Sequence, residues 1–226
     1  MNCRWMNEVG VRLIVWGGVL FAVRAGAEAV APVAEKPATK VEAVTNAATT
    51  VDNLKVAYLS ESRAKADYEA FAAKAREEGY RSVTVLFVAA AASENVHLAK
   101  HAKELKALGA LVTEVEMKPP DVRSTKENLE SALAGEIARR ETIYPGYAKQ
   151  AGAEKNTAVV YSFKGALAAG AEHAKFFRQA LGDLNAWKEP GKSFAVCTVC
   201  GFTVMGKPPA ICPVCSQPRE KFTIYK

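Results

Sequence analysis

Cys197-Thr198-Val199-Cys200-Gly201-Phe202, followed by Cys212-Pro213-Val214-Cys215, decides how the end of the chain folds. Two Cys-x-x-Cys pairs stand eleven residues apart. The segment 193–226 that carries them is too small to fold on an apolar core alone, so it needs a metal or disulfides. In each pair the chain turns so that both sulfurs and nearby backbone N–H groups face one point. Gly201 supplies a permissive backbone just after a ligand. Four thiolates in a tetrahedron select zinc or iron. Two disulfides are the competing reading, but paired Cys-x-x-Cys spacing suits a metal better than cross-links.

Working back, residues 184–192 form a short polar linker with Pro190 and Gly191. Residues 52–183 carry four helical patterns. The first runs from Asp52, a plausible N-cap, to Gly79, with Leu54, Glu61, Tyr68 and Ala75 on one stripe. The second runs from Arg81 to Gly109, with Phe87, Ala90, Ala91, Glu94, His97, Leu98, His101 and Leu105 on its inner face. The third starts at Ser124 or Thr125, ends near Gly152 and aligns Leu129, Leu133, Glu136 and Ile143. The fourth runs from Glu154 to Leu181 and turns Phe163, Ala166, Leu167, Gly170, His173, Ala174 and Phe177 inward. Short turns at Gly79-Tyr80 and around Gly152 join antiparallel neighbours, and a longer segment with Pro119-Pro120 joins the two pairs. Two helical hairpins with a crossover are the layout of a ferritin-like bundle, so the fold class is mainly α.

Buried carboxylates are costly unless paired or bound to metal. Glu61, Glu94 and Glu136 sit on apolar stripes of three different helices. His97 is one turn from Glu94, and His173 lies on the fourth helix. A ferritin-like di-iron centre takes one Glu from each of two helices and Glu-x-x-His from each of the other two. Glu61 and Glu136 fit the single-Glu roles, Glu94-Asn95-Val96-His97 fits one motif, and His173 fits the end of the other. The stripe aromatics read as core; Tyr58 and Tyr68 lie near Glu61 at helical spacing, with packing the favoured role. His101 reads as a rim histidine near solvent. Trp187 lies in the linker, where docking of the small domain is open to it but no specific feature of the sequence supports that role.

The N-terminus reads as an export signal. Arg4 and Arg12 precede the apolar run Leu13–Val23, and Ala25-Gly26-Ala27 is a cleavage site. The run is too short to span a bilayer comfortably, so a membrane partner is expected only if the segment stays uncleaved. The expected divisions are a signal peptide at 1–27, a flexible linker at 28–51, the bundle at 52–183 and the four-cysteine domain at 193–226. The expected location is exported, in the periplasm. Cleavage would remove Cys3, three Arg and one Glu, taking the net charge from +6 to +4. The basic residues are scattered, with no Lys and Arg run interleaved with aromatics. That pattern reads as a solvated surface with a mild basic excess and argues against a nucleic-acid partner. Half the residues are hydrophobic and 8% aromatic, which favours packed helices over a β-sandwich.

Cys-x-x-Cys-Gly-Phe, Cys-Pro-x-Cys and the closing Phe222 resemble a rubredoxin-type iron centre. With the bundle residues they resemble the rubrerythrin family, across nearly all of 52–226. Ser60-Glu61-Ser62, Gly135-Glu136 and Tyr144-Pro145 belong to the same resemblance. It implies a homodimer in which the four-cysteine iron, usually across the dimer, passes electrons to a bundle iron site that reduces hydrogen peroxide. An electron donor is also implied, of unknown identity. Iron is favoured over zinc at Cys197, Cys200, Cys212 and Cys215, with zinc still open. Non-haem iron, mono- or di-nuclear, is expected in the bundle at Glu61, Glu94, His97, Glu136 and His173. Glu61, Glu94 and Glu136 are the candidate catalytic residues, with Glu94 bridging.

Two positions depart from the family. The last motif reads Gly170-Ala171-Glu172-His173, so Gly170 stands where a bridging carboxylate is expected. Arg139 stands one turn after Glu136, where a second Glu is expected. Three readings stay open: a working di-iron site with substitutes from Glu172, Glu141 or His101; a single-metal site; and a metal-free bundle held by Arg139–Glu pairs. In the last, the cysteine module is an electron carrier or a structural zinc knuckle.

Overall fold

A computed structural model describes residues 48–112 and 117–226; the expected signal peptide and most of the expected linker lie outside them. Four long helical stretches form the bundle. α1 (Thr50–Glu77) and α2 (Arg81–Ala107) make one hairpin. α3 (Thr125–Ala138), continued through a π-helical turn (Arg139–Ile143) into α4 (Tyr144–Ala153), makes the other with α5 (Thr157–Gly182).

The N-cap of α1 is Thr49 rather than Asp52. Asp52 is the N3 partner in a reciprocal capping box, which satisfies two backbone donors where a lone Asp cap satisfies one. Ser124 and Glu127 repeat the device at α3. Gly79 takes φ +80 and ends the first hairpin helix, as its turn demands. The stripe Leu54, Glu61, Tyr68 and Ala75 is wholly buried, so the spacing of seven marks the inner face of α1. Tyr68, Phe71, Phe87 and Phe177 interlock with ring centroids 5.5–5.9 Å apart. They close the bundle at one end of its polar centre.

The C-terminal segment is a three-stranded antiparallel sheet in the order β2-β1-β3, from Phe194–Cys197 (β1), Thr203–Met205 (β2) and Phe222–Tyr225 (β3). β1 is buried along its whole length. Phe194 packs edge-on against Phe176 of α5, and Trp187 stacks on Phe194 with centroids 6.3 Å apart. Trp187 therefore docks the small domain on the bundle.

Candidate metal centres

The two centres are built by different physics and meet at one histidine. In the C-terminal centre, Cys197 and Cys200 leave the end of β1 and its turn, and Cys212 and Cys215 leave a second turn. Cys197 Sγ is 3.6 Å from Cys215 Sγ, and Cys200 Sγ is 3.6 Å from Cys212 Sγ. A disulfide needs about 2.0 Å, so these are four thiols. A tetrahedron of metal–sulfur bonds of about 2.3 Å has edges of about 3.8 Å, so the spacing suits one ion. Burial pushes the Cys200 and Cys215 thiols up, against hydrogen bonds from the backbone N–H groups of Phe202 and Gln217, while at Cys212 burial is outweighed by the N–H groups of Cys215 and Val214, which hold its thiol below the usual range.

In the bundle, all five expected residues converge and are at most 2% exposed. Their donor atoms form two groups that share Glu94: Glu61, Glu94 and His97, and Glu94, Glu136 and His173. Carboxylate oxygen with imidazole nitrogen suits non-haem iron. His97 Nδ1 lies 2.7 Å from Glu94 Oε2. His173 Nδ1 lies 3.2 Å from Glu136 Oε1 and 3.4 Å from Glu94 Oε1. Each imidazole turns its other nitrogen to the small domain. His97 Nε2 is 3.2 Å from the carbonyl oxygen of Cys200, which can only accept, so Nε2 carries the proton. Thr203 donates its hydroxyl proton to the Gly201 carbonyl at 3.1 Å. Its oxygen therefore accepts from His173 Nε2 at 3.0 Å. Each Nδ1 in turn donates its proton to a carboxylate, so that release of this proton leaves the Nδ1 lone pair aimed at the centre, the orientation a ligand requires.

Two tyrosines hold the carboxylates. Tyr68 donates to Glu136 Oε1 at 2.7 Å, so it is more than packing, and it serves Glu136 rather than Glu61. Tyr144 donates to Glu61 Oε1 at 2.6 Å. Sequence reasoning missed Tyr144, because eight residues of regular helix place it about 80° from Glu136. The π-helical turn, with the Tyr144 N–H donating to the Arg139 carbonyl, absorbs one residue and swings Tyr144 onto the face of Glu136.

The two departures also lie at this centre. Arg139 Nη2 is 2.9 Å from Glu136 Oε1 and 3.0 Å from Tyr68 Oη. A Cβ on Gly170 would stand 2.8 Å from Glu136 Oε2, so that carboxylate fills the space a larger side chain would take. None of the candidate substitutes joins the cluster. Glu172 pairs with Lys175, and Glu141 is exposed beside Arg140. His101 is fully buried rather than at a rim. It sits between Tyr144 and Phe163, with Nδ1 2.9 Å from Ser162 Oγ. Its inward spacing four residues after His97 was the signal for that burial.

Electrostatics divide the carboxylates. Burial, then the Glu94 charge, pushes the Glu61 carboxyl up to about 7. Burial acts the same way on Glu94, but hydrogen bonds from His173 and His97 outweigh it and hold Glu94 well below the usual range. Burial opposes the charged form of His173, yet hydrogen bonds to Glu136 and Glu94 raise it to about 10.

A helical bundle with a carboxylate–histidine centre, followed by a four-thiolate module, defines a two-centre non-haem iron protein. The rubrerythrin family model matches residues 52–181, and the model of its rubredoxin-like domain matches residues 196–223. The chain belongs to the rubrerythrin family. It is 36% identical to nigerythrin of Nitratidesulfovibrio vulgaris over 183 residues, covering 78% of this chain and 86% of that protein. It is 30% identical to a putative rubrerythrin of Methanocaldococcus jannaschii over 200 residues, covering 80% and 95%. The solved structure of fully reduced, all-ferrous nigerythrin superposes with a TM-score of 0.74 at 32% identity, covering 82% of this chain and 91% of that one.

Proposed function

We propose that this chain reduces hydrogen peroxide to two waters at the bundle site. The reaction takes two electrons and two protons, and the electrons enter through the four-cysteine centre from a separate one-electron donor. The observation that carries this reading is His97, with one nitrogen on a bundle carboxylate and the other on the backbone of the ligand Cys200. One imidazole and one hydrogen bond separate the donor sets, and both belong to the same chain. Iron, when bound at both, supplies the one-electron steps.

The residues around the site supply the rest. Tyr68 and Tyr144 orient Glu136 and Glu61 through short hydrogen bonds. Arg139 holds positive charge at the edge of the centre, where a partly charged oxygen species is stabilised. A cavity of about 220 Å³, lined in part by Ser60, Arg63, Asp67, Tyr68 and Arg139, gives a small polar oxidant a way to that edge. We further propose an exported homodimer. The test is Glu94→Ala, since Glu94 serves both donor groups. Peroxide turnover by the iron-loaded variant should vanish, and unchanged turnover would remove the bundle from the reaction.

A further inference from the structure

We infer that the bundle takes one metal ion, on Glu61, Glu94 and His97, and that the guanidinium of Arg139 stands where a second ion would sit, beside Glu136. The inference rests on the bundle being an iron site, as proposed above, and goes beyond it by fixing the number of ions and their place.

The two donor groups are not equivalent. Around Glu136 one oxygen already carries three donors. Oε1 takes Tyr68 Oη at 2.7 Å, Arg139 Nη2 at 2.9 Å and His173 Nδ1 at 3.2 Å. Oε2 fills the space beside Gly170, 2.8 Å from where a Cβ would stand. An ion there would have to displace the arginine from a carboxylate that already neutralises it, or bind beside a fixed positive charge. Gly170 also withholds the carboxylate that would bridge toward His173.

Around Glu61 the position is reversed. Oε1 is held by Tyr144, while Oε2 is buried and has no hydrogen-bond partner. The nearest cationic atom, Arg139 Nε, is 4.0 Å away, beyond hydrogen-bonding reach. A buried, unpartnered carboxylate oxygen beside Glu94 and Nδ1 of His97 is a half-built ligand set. The guanidinium thus does two things with one charge. It neutralises the carboxylate left over when a second ion is lost, and it keeps the first site distinct from the second.

The test is metal content, not turnover. Protein loaded anaerobically with excess ferrous iron and then desalted should hold two metals per chain, counting iron plus zinc. Glu61→Gln should fall to one. Glu136→Gln with Arg139→Gln, which removes the ion pair as a neutral whole, should keep two. Arg139→Glu with Gly170→Glu should rise to three. Three metals in the unaltered protein, one metal there, or loss of the bundle metal in the Glu136/Arg139 pair variant but not in Glu61→Gln, would each overturn the inference. The unaltered protein decides the number even if a variant fails to fold. Peroxide turnover, read on the same samples, separates the two claims. Two metals without turnover sinks the proposed reaction alone, and three metals with turnover sinks only the single-ion site.

Discussion

His97 Nε2 donates to the carbonyl oxygen of Cys200 across 3.2 Å, while its Nδ1 faces Glu94 Oε2 at 2.7 Å. A residue 103 positions away in sequence therefore fixes which nitrogen of a bundle histidine is free to bind a metal. The contact exists because Gly201, the next residue, has no side chain.

Gly201→Ala tests that contact. The backbone there has φ +79, and an added Cβ would overlap the His97 ring. The strain alone costs about 1–3 kcal/mol. The domain must back away from α2, so the thermal midpoint should fall. Reoxidation of the four-cysteine iron by peroxide, followed by stopped flow, should slow at least about tenfold, since each 1.36 kcal/mol of barrier is a factor of ten. Unchanged reoxidation would show that electrons do not pass by His97.

Arg139→Met should be strongly destabilising in the metal-free protein. It strands Glu136, which is 2% exposed, and breaking a buried pair from one side costs about 3–5 kcal/mol. Glu136→Gln added to it should recover most of that loss, because the remaining Gln can still accept from Tyr68. Urea unfolding of the two variants decides the matter. Equal stabilities would mean that the ion pair is not what holds the polar centre.

His101 should make the fold acid-sensitive. Burial pushes its imidazole down to about 3 from an ordinary value of 6.5. The folded state then binds fewer protons than the unfolded state between those values. Stability from this residue is complete above the unfolded pKa and is lost as pH falls below it. At pH 5 the residue accounts for about 2 kcal/mol. His101→Gln keeps an acceptor for Ser162 but does not titrate. The drop in unfolding free energy from pH 8 to pH 5 should shrink by about that amount. The same slope in both proteins would clear His101.

Stripping the metal from the four cysteines should unfold the small domain without dissolving the bundle. Strands of three or four residues have little apolar surface beyond Phe194 and Val196, so the ion supplies the folding energy. Amide exchange in Phe194–Cys197 should accelerate by orders of magnitude after chelation, while the inner face of α1 stays protected. Protection retained in β1 would mean that the stack with Trp187 and Phe176 suffices.

Periodicity and spacing are local properties, and they were legible. A spacing of seven placed Glu61 and Tyr68 on the inner face of α1, and paired Cys-x-x-Cys placed four sulfurs around one point. Charge at Arg139 and the missing side chain at Gly170 were equally plain in the chain, since a departure from a motif needs only the motif to be seen. What the sequence could not determine depends on distance through space. The partner of Tyr68, the burial of His101 and the swing of Tyr144 through a π-helical turn follow from how four helices close on one another. The division of work between Glu61, whose Oε2 is buried without a partner, and Glu136, whose Oε1 takes a tyrosine, a guanidinium and an imidazole, is likewise a product of packing. Both are glutamates on apolar stripes, and only the folded bundle decides which of them a guanidinium reaches first.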